Sequence, residues 1–191
     1  MGYMRAFLSR FYDDTRPRTL IFGINPGRFG AGITGVTFTD PVALADFCGV
    51  PNALPRRREL SSVFVYQAID RIGGPEAFYG HFFLTAISPL GFTRAGKNLN
   101  YYDEPPLTRA VTPFIVESIR KQIALAGRRH RAIVLGAGAN LRFFEKLNDE
   151  HGFFESVRGL EHPRFIMQYR LKKIEGFLDK YEETLRDSMS S

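Results

Sequence analysis

The sequence predicts an α/β fold: a three-layer α/β/α sandwich around a mostly parallel, four-stranded central sheet, in one domain over residues 1–191. Three observations predict it. Four short apolar runs, each closed by turn residues, read as buried strands. Stretches with helical spacing separate them, and strands that alternate with helices build parallel βαβ units with helices on both faces. No internal repeat or low-complexity tract interrupts the 191 residues, a length that buries a sizeable core.

In chain order, Tyr3 to Tyr12 is apolar-rich and reads as an N-terminal helix, and Asp13 to Arg18 is a polar connector. Thr19 to Ile24 is the first strand. Asp40 before Pro41 is a helix start, an N-cap followed by proline at the first helical position, and this helix ends near Gly49. Pro51 to Arg58 is a proline- and arginine-rich connector; Arg56, Arg57 and Arg58 are a solvated charge cluster, or phosphate contacts if a nucleic-acid site lies beside them. Leu60, Val63, Phe64, Ala68 and Ile72 give Glu59 to Ile72 helical periodicity, stopped by Gly73-Gly74, and Pro75 opens a short helical turn. Phe82 to Ile87 is the second strand, and residues 91–108 read as a long polar loop. Thr112-Pro113 starts a helix to about Ala126, placing Arg128 to Arg131 at the surface before the third strand, Arg131 to Leu135. Gly136-Ala-Gly138 leads into a helix around Asn140 to Asn148, a turn suited to tight strand–helix packing more than to phosphate binding. Phe153 to Glu161 is a fourth, less regular strand, and one amphipathic helix from about Met167 to Arg186 closes the chain.

Composition narrows the function classes. The hydrophobic fraction of 44% is that of a globular protein, and no apolar run has the length of a membrane span. The N-terminal residues have no signal-peptide core, so the expected compartment is the cytoplasm. A single cysteine, Cys48, excludes an internal disulfide and a four-cysteine iron–sulfur site. The histidines His81, His130, His151 and His162 are scattered without metal-ligand spacing, so neither a metal nor a cofactor is expected. A formal charge of +6 suits a polyanionic partner.

The stretch from Gly23 to Phe38 concentrates the chemistry. Five glycines in these sixteen residues allow the backbone to lie close to a ligand. Pro26 and Gly27 stop the strand, which puts Asn25 at its carboxyl end, where open α/β sheets place ligands. Gly23, Asn25, Pro26, Gly27, Phe29, Gly30, Thr34, Gly35, Val36 and Phe38 resemble, without a gap, motif 1 of the uracil-DNA glycosylase superfamily, in particular its single-strand-selective monofunctional family. His162-Pro163 stands where that family's second motif begins, before the final helix. Pro89-Leu90 and Gly96-Lys97-Asn98-Leu99 resemble a further family segment, so the resemblance runs from about residue 19 to 175.

The resemblance implies a cofactor-free hydrolase acting on DNA as a monomer, which flips a base out and hydrolyses its N-glycosidic bond. Asn25 is then expected to orient the attacking water, and His162 to hydrogen-bond the departing base. Gly23, Ile24, Pro26, Gly27 and Phe38 are expected to surround the base, with Phe38 stacking on it and Gly27 leaving room beside the ring. Arg28, Lys97, Asn98, Pro163 and Arg164 are the expected DNA contacts. The chain departs from the family twice. Ala86 replaces an asparagine that reads the uracil edge, and the duplex-wedging loop after His-Pro is shortened to Arg164-Phe165. The Ser88 hydroxyl or nearby backbone groups are the expected substitute readers, with a base scope widened to deaminated purines such as xanthine. The other readings are a DNA-damage sensor that has kept the pocket without its activity, and a nucleotide-binding α/β protein.

Overall fold

In the computed structural model of the chain, which describes residues 2–190, the elements run α1 (Gly2–Phe11), β1 (Arg18–Gly23), α2 (Ala31–Thr34), α3 (Pro41–Asp46), α4 (Leu60–Arg71), α5 (Gly74–His81), β2 (Phe82–Ala86), β3 (Phe92–Arg94), β4 (Lys97–Leu99), α6 (Pro105–Ala126), β5 (Gly127–Leu135), α7 (Ala139–His151), β6 (Ser156–Leu160), α8 (Pro163–Tyr169) and α9 (Ile174–Met189). Met1 and Ser191, the two ends of the expected domain, lie outside the described residues. Four strands form a wholly parallel sheet in the order β2-β1-β5-β6.

The alternation of side chains along each strand builds the two flanking layers. Leu20, Phe22, Ala132 and Val134 point to one face, where Ile115, Ile119, Phe144 and Leu147 from α6 and α7 cover them. Ile21, Ile133, Leu135 and Leu160 point to the other, under Leu44, Phe64, Phe78, Ile166 and Leu178 from α3, α4, α5, α8 and α9. The register pairs Gly23 with Ala86, Phe22 with Val134 and Leu135 with Leu160. All four strands therefore stop at one edge, and the residues after each strand form one rim.

Arg18 anchors the opposite end of β1. Its side chain is 2% exposed, and all five guanidinium donors are used: Nε to Tyr79 O at 2.7 Å, Nη1 to Asp14 Oδ1 and Arg16 O, and Nη2 to Phe11 O and Asp14 Oδ2. A charge so placed is tolerable because every N–H has a partner. The contacts join α1, the connector and α5 to the central strand.

The structure corrects four expectations. Residues 91–108 are not one loop, since β3 and β4 pair antiparallel around Ala95-Gly96, both at positive φ (47° and 71°), as a two-residue hairpin turn demands. α6 starts at Pro105 instead of Thr112, so Pro113 lies inside the helix, where Thr112 Oγ1 donates to Thr108 O at 2.7 Å. β5 begins at Gly127, which makes Arg128 to Arg131 strand residues. The closing helix is two helices: α8 breaks at Arg170 (φ −132°), and a 3₁₀ turn over Leu171–Lys173 leads into α9. Arg164 and Phe165 consequently belong to the first turn of α8.

Arg18→Met keeps the apolar stem but strips the donors from three carbonyls. Equilibrium urea unfolding should show a loss of about 3 kcal/mol or more. Arg16→Met, which removes only the exposed ion pair with Asp14, should cost under about 1 kcal/mol.

Candidate active site

β1–β2 pairing continues past both strands, with Ile87 N–H donating to Gly23 O (3.1 Å) and Ser88 N–H to Ile24 O (3.0 Å), until Pro26 ends it. Asn25 is thereby delivered to the rim. Its amide is clamped at both ends: Nδ2 donates to Leu99 O and Oδ1 accepts from Tyr101 N–H, each at 3.2 Å. Tyr101 is fully buried, and its hydroxyl donates to Asn140 Oδ1 at 2.8 Å. Asn140 Nδ2 in turn donates to Leu135 O at the end of β5 (3.1 Å). This chain of bonds fixes the Asn25 rotamer. Among the described residues, one lone pair on Oδ1 and one hydrogen on Nδ2 have no partner.

His162 follows β6 and caps α8, with Pro163 at the first helical position. Its Nδ1 accepts the Arg164 N–H at 3.1 Å, so a neutral ring carries its proton on Nε2. Burial, and then the nearby Arg164 charge, push its pKa from 6.5 down to about 4. At neutral pH the ring is therefore an uncharged donor. Phe38 lies 5.6 Å from it, ring centre to ring centre. Phe38 adopts φ 53°, a strained backbone for an aromatic residue and of the kind that clusters at functional sites. A β-carbon at residue 23 would sit 2.6 Å from Phe38 Cε2. Gly23, and not Gly27, makes the room for this ring.

These residues share a cleft of about 360 Å³ lined by Gly23, Ile24, Asn25, Pro26, Gly27, Phe38, Ala86, Asn98, His162 and Arg164 of the expected site. Arg28 and Lys97 lie outside it, in a neighbouring cavity that Asn98 and Arg164 also line. Pro163 is buried and lines neither. Ser88 is not brought to the cleft. It is fully buried, and its hydroxyl donates to Leu90 O at 3.1 Å, closing the Ser-Pro-Leu corner on itself. Among the described residues no three His, Cys, Asp or Glu side chains gather as a metal-holding group, and no helix is long and apolar enough to cross a membrane.

Sequence reasoning missed Glu59, Ser61 and Gln168, which also line the cleft. Glu59 is held there by Asp40. One Asp40 oxygen caps α3, accepting from Val42 and Ala43 N–H, and the other accepts the Glu59 N–H at 2.8 Å. The Glu59 carboxylate lies against Gly30, where any β-carbon would collide with it. Burial pushes its pKa up, against the pull of Arg164. Its one sequence signal was its place at a helix start after three arginines, which does not reveal the cleft.

The model of the uracil DNA glycosylase superfamily matches residues 9–186. The chain belongs to the uracil DNA glycosylase superfamily. Single-strand selective monofunctional uracil-DNA glycosylases of Rattus norvegicus and Mus musculus are 28% identical over 153 residues, covering 70% of this chain. The chain spans 54% and 53% of those proteins, about half their length. The crystal structure of wild-type SMUG2 from Pedobacter heparinus superposes with a TM-score of 0.95 at 42% identity, over 100% of this chain and 83% of that one.

In a glycosylase fold whose rim carries Asn25 and a neutral His162, proton uptake has a defined sign. The folded pKa, about 4, lies below the ordinary 6.5, so between these values the unfolded chain binds more protons. The His162 contribution to stability is complete above pH 6.5 and falls as pH drops toward 4. NMR titration should find the ring neutral, with its proton on Nε2, down to about pH 5. His162→Gln should lose that segment of the stability–pH curve. A midpoint near 6.5 in the folded protein contradicts the assignment.

Proposed function

We propose that the chain is a monofunctional, cofactor-free DNA glycosylase that removes uracil and related deaminated bases in base excision repair. The observation that carries this reading is the meeting of Asn25, Phe38 and the Nε2–H of a neutral His162 in one cleft. The target nucleotide leaves the stack at a cost of a few kcal/mol, less in a single strand. Its base lies on Phe38. The bond from C1′ to the base nitrogen breaks with its electron pair going to the base, and His162 Nε2–H donates to the base oxygen where that charge collects. The free lone pair of Asn25 Oδ1 orients a water, whose oxygen bonds C1′ and whose proton passes to solvent. An oxocarbenium-like centre is electrophilic enough that positioning suffices. A cationic histidine would attract the anion more strongly but would first have to be charged in a buried site, and the N-cap bond to Nδ1 opposes that.

Base scope follows from Ala86. The methyl group, buried opposite Gly23, presents neither donor nor acceptor to a base edge, and Ser88 is turned away. Thr37, Ser61, Asn98, Asn100, Gln168 and Tyr169 are the remaining neutral hydrogen-bonding side chains that line the cleft. Longer side chains approaching from several directions suit more than one pattern of base edge, which supports a scope extending to xanthine.

The test is release from oligonucleotides carrying uracil, hydroxymethyluracil, hypoxanthine or xanthine, read by alkaline cleavage. Uracil and xanthine should be released; binding without any abasic product sinks the reading. Asn25→Ala and His162→Ala should each slow single-turnover release by roughly 100- to 1000-fold with DNA affinity nearly unchanged. Ala86→Asn should shift preference toward uracil, and Ser88→Ala should leave it alone. No lysine lines the cleft, so the product should stop at the abasic site. A borohydride-trapped covalent complex would contradict that.

A further inference from the structure

Phe38 holds its backbone at φ 53°, where an aromatic residue does not rest unless its surroundings keep it there. Both peptide groups that flank it are bonded. The Thr39 N–H donates to Val36 O (3.2 Å), and Thr37 O accepts from the Thr39 hydroxyl (3.1 Å). Thr34 closes the same turn from its other end. Its hydroxyl donates to Thr39 O at 2.7 Å and accepts the Val36 N–H at 3.1 Å.

From Thr39 the bonds continue into the core. Its hydroxyl lies 2.9 Å from the Tyr66 hydroxyl on α4, which lies 2.9 Å from Cys48 Sγ and 3.0 Å from the Tyr79 hydroxyl on α5. Thr39, Cys48, Tyr66 and Tyr79 are each 2% exposed or less, so bulk solvent does not compete for these groups. The end of the chain fixes the direction of every hydrogen. Thr37 O can only accept, so the single Thr39 hydroxyl hydrogen goes to it, and Tyr66 must donate to Thr39 Oγ1. The Tyr66 oxygen then accepts from Cys48 and Tyr79. Burial pushes the Cys48 thiol up to about 11, which keeps its hydrogen in place for that bond at neutral pH.

We propose that Tyr66 is a positioning residue for base stacking: its hydroxyl holds Thr39, and Thr39 holds the strained backbone that presents the Phe38 ring to the base. The proposal rests on the glycosylase reading, in which the extruded base lies on Phe38. Tyr66 does not line the base cleft, so it acts only through the turn over residues 34–39. Gly23 gives the ring its room, and the buried hydroxyls fix the backbone from which the ring projects.

The test compares single-turnover uracil release from a single-stranded oligonucleotide, DNA affinity by fluorescence anisotropy, and amide hydrogen exchange of the free protein. Tyr66→Phe and Thr39→Val should each slow release at saturating protein about 10-fold, with DNA affinity nearly unchanged. Thr39→Val is close to isosteric and carries the test if Tyr66→Phe fails to fold. Thr39→Ser keeps the hydroxyl and should retain the wild-type rate. Cys48→Ala removes a donor behind Tyr66 and leaves the bonds in front of it, so it controls for a loosened core and should also release uracil at the wild-type rate. In a Phe38→Ala background, Tyr66→Phe should slow release no further, because the ring it positions is gone. In the free protein the Thr39 amide should exchange faster in Tyr66→Phe and Thr39→Val than in Cys48→Ala. Wild-type release by a folded Tyr66→Phe or Thr39→Val protein overturns the proposal. So does a Tyr66→Phe loss that persists in full without Phe38, or one that Cys48→Ala reproduces. Absence of abasic product from wild type overturns the glycosylase reading instead. Hydrogen exchange still decides the hold on Phe38 in that case, and equal Thr39 exchange in Tyr66→Phe and Cys48→Ala removes it.

Discussion

The side-chain amide of Asn25 is the joint that the functional face depends on. β1 lies between two parallel partners and must stop where Pro26 removes a donor, which leaves the next residues free of the sheet and close to its rim. A residue in that place would ordinarily be mobile. Here it accepts from Tyr101 N–H and donates to Leu99 O, so the segment after the β3–β4 hairpin is bound to the strand end. Tyr101 carries the connection through Asn140 to β5. The same amide thus holds three parts of the chain together and keeps one free lone pair toward the cleft. The two bonds together remove its rotational freedom at the rim.

The second constraint is electrostatic. The chain carries +6 overall, yet the histidine in the cleft is held neutral. The fold keeps the two apart in space. Arginines with no ion pair among the described residues gather at the neighbouring cavity, while His162 is kept neutral by burial and by the N–H that occupies its Nδ1. Arg164 and Glu59 stand on the shared wall with opposite charges. Glycines set the depth of the wall at two points: Gly23 admits the Phe38 ring and Gly30 admits the Glu59 carboxylate.

The amino-acid sequence by itself determined the layer architecture, because alternating apolar strands and amphipathic helices have few ways to bury both faces. It also marked Asn25, Phe38 and His162, since an Asn-Pro-Gly strand end, a glycine-rich loop and a His-Pro helix start are local signals carried by adjacent residues. The cap at Asp40 was legible for the same reason. Local signals failed where segments are short and exposed. β3 and β4 have three residues each and no apolar alternation, so only Gly96 announced the turn between them. Pro105 and Pro113 carry the same helix-start signal, and nothing local says that the first opens α6 and the second lies inside it, while the break at Arg170 has no glycine or proline to mark it. Tertiary structure alone decided the rest. Glu59 enters the cleft because Asp40, nineteen residues earlier, bonds its backbone. Ser88 stays out because its hydroxyl finds Leu90 O inside its own turn. Whether a polar group meets a ligand or a neighbour depends on which partner the packed chain brings within bonding distance, and no spacing along the sequence encodes that distance.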